Sequence, residues 1–119
     1  MPIRALDAAA SALGAFSTVQ AVAAHNVANV GTEGFDPSRV TLEERPDQGG
    51  VAVQEIRRED AQAPLVPSAV PGAGYVEGSG TDLARETVTT LANERAFEAS
   101  AAVVRTTDEM LGAFLDEVV

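Results

Sequence analysis

A chain of 119 residues has room for one domain with a modest core. Its apolar fraction of 45% is mostly Ala and Val, with four Phe, one Tyr and no Trp, so side chains bulky enough to close-pack a monomer are scarce and association is expected. The formal charge of −10, with eight Arg spread along the chain and no Lys, argues against nucleic acid and anionic membranes as partners, and the lack of Cys excludes disulfides, thiolate catalysis and zinc-thiolate sites.

The first thirty residues carry helical periodicity. Leu6, Ala9, Leu13, Phe16, Gln20, Ala23, Val27 and Val30 recur at spacings of three and four, the seam of a coiled coil. Pro2 suits a first-turn position and Gly31 a helix end, which predicts a helix over roughly 3–29, about 40 Å long. No Asp, Glu, Lys or Arg occurs from Ala8 to Thr32. Ser11, Ser17, Thr18, Gln20, His25, Asn26 and Asn29 interrupt that run, and Asp7 spoils the positive flank of a signal peptide. The segment is therefore expected to be a helix packed against other helices, with neither a cleavable signal nor a membrane span.

From Gly31 to Gly80 the character changes, with five of the six prolines and eight of the ten glycines. Alternating residues predict strands over 38–44 and 50–56, joined by the turn-forming run Pro46-Asp47-Gln48-Gly49-Gly50. Residues 63–74 should be extended, since Pro64, Pro67 and Pro71 remove donors and bias their predecessors away from the α region. A second helix is expected over 82–117, about 54 Å long, capped by Thr81 or Asp82 and with Asp82 and Glu86 near its positive end. Leu83, Phe97, Val104, Leu111 and Val118 share one heptad row, with Thr90 its polar member. A second stripe runs through Val88, Leu91, Val103, Met110 and Phe114. Together they are wider than one partner helix needs.

The expected fold is mainly α with a small β insert. Residues 1–31 and 81–119 form a discontinuous helical coiled-coil domain with antiparallel helices, and 32–80 form a β-rich or extended insert. A lone two-helix hairpin exposes its second side, so many copies should share the burial.

No catalytic constellation assembles. His25 is the only histidine and has no carboxylate or cysteine near it in sequence, which favours an interface histidine over a base or ligand. Glu43-Glu44 and Asp116-Glu117 are neighbours whose side chains diverge on a strand or a helix, so they are expected to be solvated charge. Gly72-Ala73-Gly74 and Gly78-Ser79-Gly80 lack the strand and the Lys-Ser/Thr ending of a phosphate-binding loop. Arg105 with Asp108 and Glu109 should form helix-surface ion pairs. The chain is read as non-enzymatic, with no cofactor, metal or small-molecule substrate.

The two ends together resemble a known family. "AAHNVANVGTEGF", residues 23–35, resembles the amino-terminal signature Asn-Asn-Ile-Ala-Asn-x-x-Thr-x-Gly-Phe of bacterial flagellar rod and hook proteins, with Asn26, Ala28, Asn29, Thr32, Gly34 and Phe35 matching it. His25 stands in place of the first Asn and Val27 in place of Ile. Residues 81–119 resemble the family's terminal helix, with Asp82-Leu83, Arg95-Ala96-Phe97-Glu98-Ala99 and Thr106-Thr107-Asp108-Glu109-Met110-Leu111 in order. Only about fifty residues separate the signatures, which is similar to the short proximal-rod subunits.

The resemblance implies a structural subunit of the flagellar basal body. It would be exported through the flagellum's own type III apparatus and assembled in the periplasm, with copies of itself and other rod subunits, into a torque-transmitting helical tube. Asn26, Ala28, Asn29, Thr32, Gly34 and Phe35 would then form a hinge, and Leu83, Leu91, Phe97, Val104, Met110, Leu111 and Leu115 the assembly face of the last helix. A non-enzymatic paralogue acting as a soluble helical adaptor or regulator is the alternative.

Overall fold

The computed structural model describes residues 2–118. Helix α1 spans Pro2–Ala28 and helix α2 spans Leu83–Val118. Between them lie β1 (Ser38–Glu44), β2 (Val51–Arg58), β3 (Leu65–Pro67) and β4 (Tyr75–Glu77). The body is a rod of 77 × 24 × 18 Å.

Helix α1 is uncharged through most of its length and rich in Ala, so a partner can approach it closely. By length and composition it could also cross a membrane; here it lies against α2 and the β1–β2 hairpin. The helices run antiparallel, as their cross-links show. Thr81 Oγ1 donates to the Asn26 carbonyl at 3.0 Å, and Asn93 Nδ2 donates to the Phe16 carbonyl and to Gln20 Oε1, both at 2.9 Å. The register thus pairs the end of α1 with the start of α2. Helix α2 begins where expected, with Asp82 Oδ1 accepting from the amides of Ala84 and Arg85 at 3.0 and 3.2 Å.

The seam differs in detail from the expectation. On α1, Ala9 and Ala23 are buried as the periodicity predicts, but Ala15 and Asn26 take the other buried places, and Val27 and Val30 stay about 40% exposed. The apolar spacing runs one residue past the contact because Asn26, not Val27, meets the insert and α2. On α2 the row facing α1 most directly is polar: Glu86, Asn93 and Thr107 are buried and Ser100 is half-buried. Such a seam fixes register through hydrogen bonds, whereas apolar surfaces alone tolerate sliding.

Strands β1 and β2 pair antiparallel from Ser38 opposite Arg58 to Glu44 opposite Val51. Gln54 is a bulge, since Thr41 faces Glu55 and Leu42 faces Val53. The hairpin lies along α1, pinned at its tip where the Val51 amide donates to Ser11 Oγ at 3.2 Å. Gly50, at φ +92°, sits against that same turn: a Cβ there would run into the Ser11 hydroxyl and stand 3.0 Å from Ala8 backbone atoms. β2 runs two residues beyond the predicted end, because Arg57 and Arg58 find partners in Arg39 and Ser38.

The stretch expected to be merely extended forms a second hairpin. Leu65, Val66 and Pro67 pair with Glu77, Val76 and Tyr75. Three-residue strands flanked by prolines carry no alternation to detect, and their pairing depends on a ring of contacts from elsewhere. The Gly34 amide donates to the Glu77 carbonyl, Gly78 to Pro64 and Gly80 to Phe35, each at 2.9 Å. Glu33 Oε1 accepts from the Ala69 amide at 2.5 Å.

Candidate assembly site

Two features converge where α1 ends. The first is a buried polar cluster. Asn26 is fully buried; its Nδ2 donates to the Ser38 carbonyl at 2.9 Å and to Glu86 Oε1 at 3.2 Å, while its Oδ1 accepts from the Ser38 amide at 2.9 Å. One side chain therefore ties the end of α1, the first residue of β1 and the first turns of α2. Arg39 continues the cluster: Nη1 reaches Glu86 Oε1 at 2.5 Å and Nε reaches Glu59 Oε2 at 2.7 Å. Arg85 closes onto the same Glu59 at 3.3 Å.

Electrostatics follow from these contacts. Burial pulls the Arg39 guanidinium toward neutrality, but hydrogen bonds to Glu59 and Glu86 outweigh it and raise its pKa. The Arg39 hydrogen bond holds the Glu59 carboxyl below the usual carboxylate range, against desolvation and with help from Arg85. Glu86 is wholly buried, and its Oε2 has no hydrogen-bond partner among the described residues. Keeping a carboxylate there depends on Arg39 and Asn26, so loss of either leaves a buried charge under-compensated. The cluster borders a cavity of about 150 Å³ lined also by Val19, Val22, Ala23, Val40 and Thr89.

The second feature is the turn after α1. Ala28 is the last helical residue and is exposed. Asn29 Nδ2 donates to the His25 carbonyl at 2.9 Å, capping α1, and its Oδ1 accepts from Thr32 Oγ1 at 3.0 Å. Phe35 is half-buried and meets the His25 ring edge-on, with centroids 5.6 Å apart and planes at 64°. His25 thus packs against the aromatic that closes the signature. Gly34 takes φ +67°, but Gly31 does not enter the left-handed region, and neither do Asn26 and Asn29. The reversal after α1 is made by Gly34 and by the side-chain bonds of Asn29.

Around the polar row of α2 the apolar rows are only partly covered. Val104 and Leu111 are half-buried, whereas Leu83, Leu91, Phe97, Met110 and Leu115 are 41–61% exposed, as are Val88 and Phe114 at 66% and 62%. The residues expected on an assembly face thus divide between the α1 contact and solvent. The helix-surface pair on α2 is Arg95–Glu98 at 3.5 Å; Arg105 forms no ion pair among the described residues.

Two family models match the chain. Residues 6–35 match the model for flagella basal body rod protein, and residues 73–117 match that for the C-terminal region of the flagellar basal body rod FlgEFG proteins. This chain belongs to the flagellar basal body rod family. The matches fall on α1 with its turn, and on β4 with α2, leaving β1 to β3 as the part these models do not cover. A search of curated proteins found no match. Membership in a structural rod family makes the chain a component of the flagellar basal body and implies assembly with other rod subunits.

The signature Asn26 is legible in sequence, but its partners Ser38 and Glu86 are not, lying 12 and 60 positions away. Arg39 and Glu59 carried no sequence signal, since a charged residue on β1 or just past the end of β2 resembles any solvated one.

Proposed function

We propose that the chain is a self-assembling rod subunit whose two helices pack against copies of itself and other rod subunits, forming a helical tube that transmits torque. The observation that carries this reading is the seam: α1 meets the polar row of α2, and the large apolar residues on either side of that row remain exposed. Fully burying a Leu, Met or Phe is worth about 1.5–3 kcal/mol, and side chains already half-covered would gain roughly half of that each in an intersubunit contact. Among the described residues, the buried apolar side chains of a monomer are small: Ala9, Ala15, Ala23 and Pro37.

In this reading residues 1–31 and 81–119 are the tube-building unit, residues 32–80 an outer module, and Asn26 to Phe35 the joint between them. Delivery through the flagellum's type III apparatus to the periplasm belongs to the same proposal, supported by family membership. The short insert favours a proximal position in the rod. Deleting the gene should abolish swimming and truncate the basal body, with restoration by the natural chain. Unchanged swimming and intact basal bodies would contradict the proposal.

A further inference from the structure

With no Cys in the chain, its sulfur chemistry falls to two methionines, Met1 and Met110, of which Met110 lies within the described residues. Met110 stands on α2 and is 58% exposed. Its bulky companions in the uncovered stripe are Val103, seven residues before it and 44% exposed, and Phe114, one turn beyond it and 62% exposed. Thr107, one turn before Met110, is buried in the row against α1. The thioether therefore belongs to the face that a single subunit leaves open. Leu, Val and Phe in that face are inert to peroxides, whereas a thioether is oxidised by them.

We infer that Met110 is an oxidation site that governs assembly: hydrogen peroxide converts its thioether to the sulfoxide in free subunits, and the sulfoxide bars those subunits from growing filaments. The sulfur lone pair takes one peroxide oxygen as the O–O bond breaks. Sulfur loses two electrons, and the other oxygen leaves as water with both protons. The site regulates the apolar face of the proposed function and rests on the self-assembly reading. In a free subunit the new S–O dipole is hydrated, and the fold is undisturbed because the side chain is exposed. In a contact that covers Met110 the dipole is stripped of water among apolar side chains, and a buried polar group without a partner is costly. A subunit already within a filament keeps its sulfur covered and escapes the oxidant. Subunits are thus screened before incorporation and protected after it, and methionine sulfoxide reductases, one for each epimer, make the block reversible.

Peroxide treatment tests the site. The full-length natural chain and Met110→Leu are each treated as free subunits, oxidation is located by peptide mass spectrometry, and growth is followed by sedimentation and light scattering. The oxidised natural chain should melt within a few degrees of the untreated one by circular dichroism, yet need about tenfold or more higher concentration to elongate. Methionine sulfoxide reductases with a thiol reductant should restore growth, a readout that needs no substitution. Met110→Leu should grow alike with and without peroxide, and Met110 in preformed filaments should oxidise several-fold more slowly than in free subunits. An unchanged threshold after full oxidation of Met110, an equal loss in peroxide-treated Met110→Leu, or equal oxidation rates free and assembled overturns the site while leaving self-assembly standing. A natural chain that never elongates even unoxidised overturns self-assembly, and the site with it.

Discussion

At the residue scale, Asn26 does most to fix the structure, because one buried amide answers both backbone groups of Ser38 and one oxygen of Glu86. Replacing it by Ala removes three hydrogen bonds and leaves a buried carboxylate to Arg39 alone. Asn26→Ala should lower stability by about 2–3 kcal/mol in urea unfolding; a loss below half a kcal/mol would mean the cluster is not a structural tie. Glu59 sets a pH dependence. Its pKa is depressed in the folded state, so its stabilisation is complete above the ordinary Glu value and is lost as pH falls through the depressed one. The advantage of the natural chain over Glu59→Gln should therefore be steady at neutral pH and shrink below about pH 4.5, measured as urea midpoints at each pH. A gap that widens in acid would contradict this linkage.

At the element scale, the sequence displays what its periodicity encodes. Both helices and the β1–β2 hairpin follow from apolar spacing, a capping Asp82 and a turn of Pro, Asp and Gly. The β3–β4 hairpin does not, because Leu65 to Pro67 is too short to alternate, and pairing with Tyr75 to Glu77 is enforced by Gly34, Gly78 and Glu33 from outside it. The polar α2 row was equally hidden, since nothing in the sequence marks Glu86 and Asn93 as buried until their partners on α1 and β1 are known. Gly50 is where hairpin and helix lock. Gly50→Ala should cost about 1–3 kcal/mol from overpacking plus strain at positive φ. Adding Ser11→Ala should recover little, because Ala8 backbone still stands 3.0 Å from the new Cβ. Full recovery in thermal melts would show that only the hydroxyl obstructs.

At the scale of the whole molecule, a 77 Å rod with a small apolar core presents more greasy surface along α2 than α1 can cover. Leu91→Gln with Met110→Gln should leave the monomer's melting temperature within a few degrees, since both residues are exposed, yet suppress filament growth. A large loss of monomer stability would instead place these side chains in the subunit's own core. The most direct test of shared burial is sedimentation velocity of the purified natural chain over a rising concentration series. The account predicts slow monomers that give way, past a threshold, to a continuous ladder of elongated species. A single closed dimer that never grows would contradict it and favour a soluble helical adaptor.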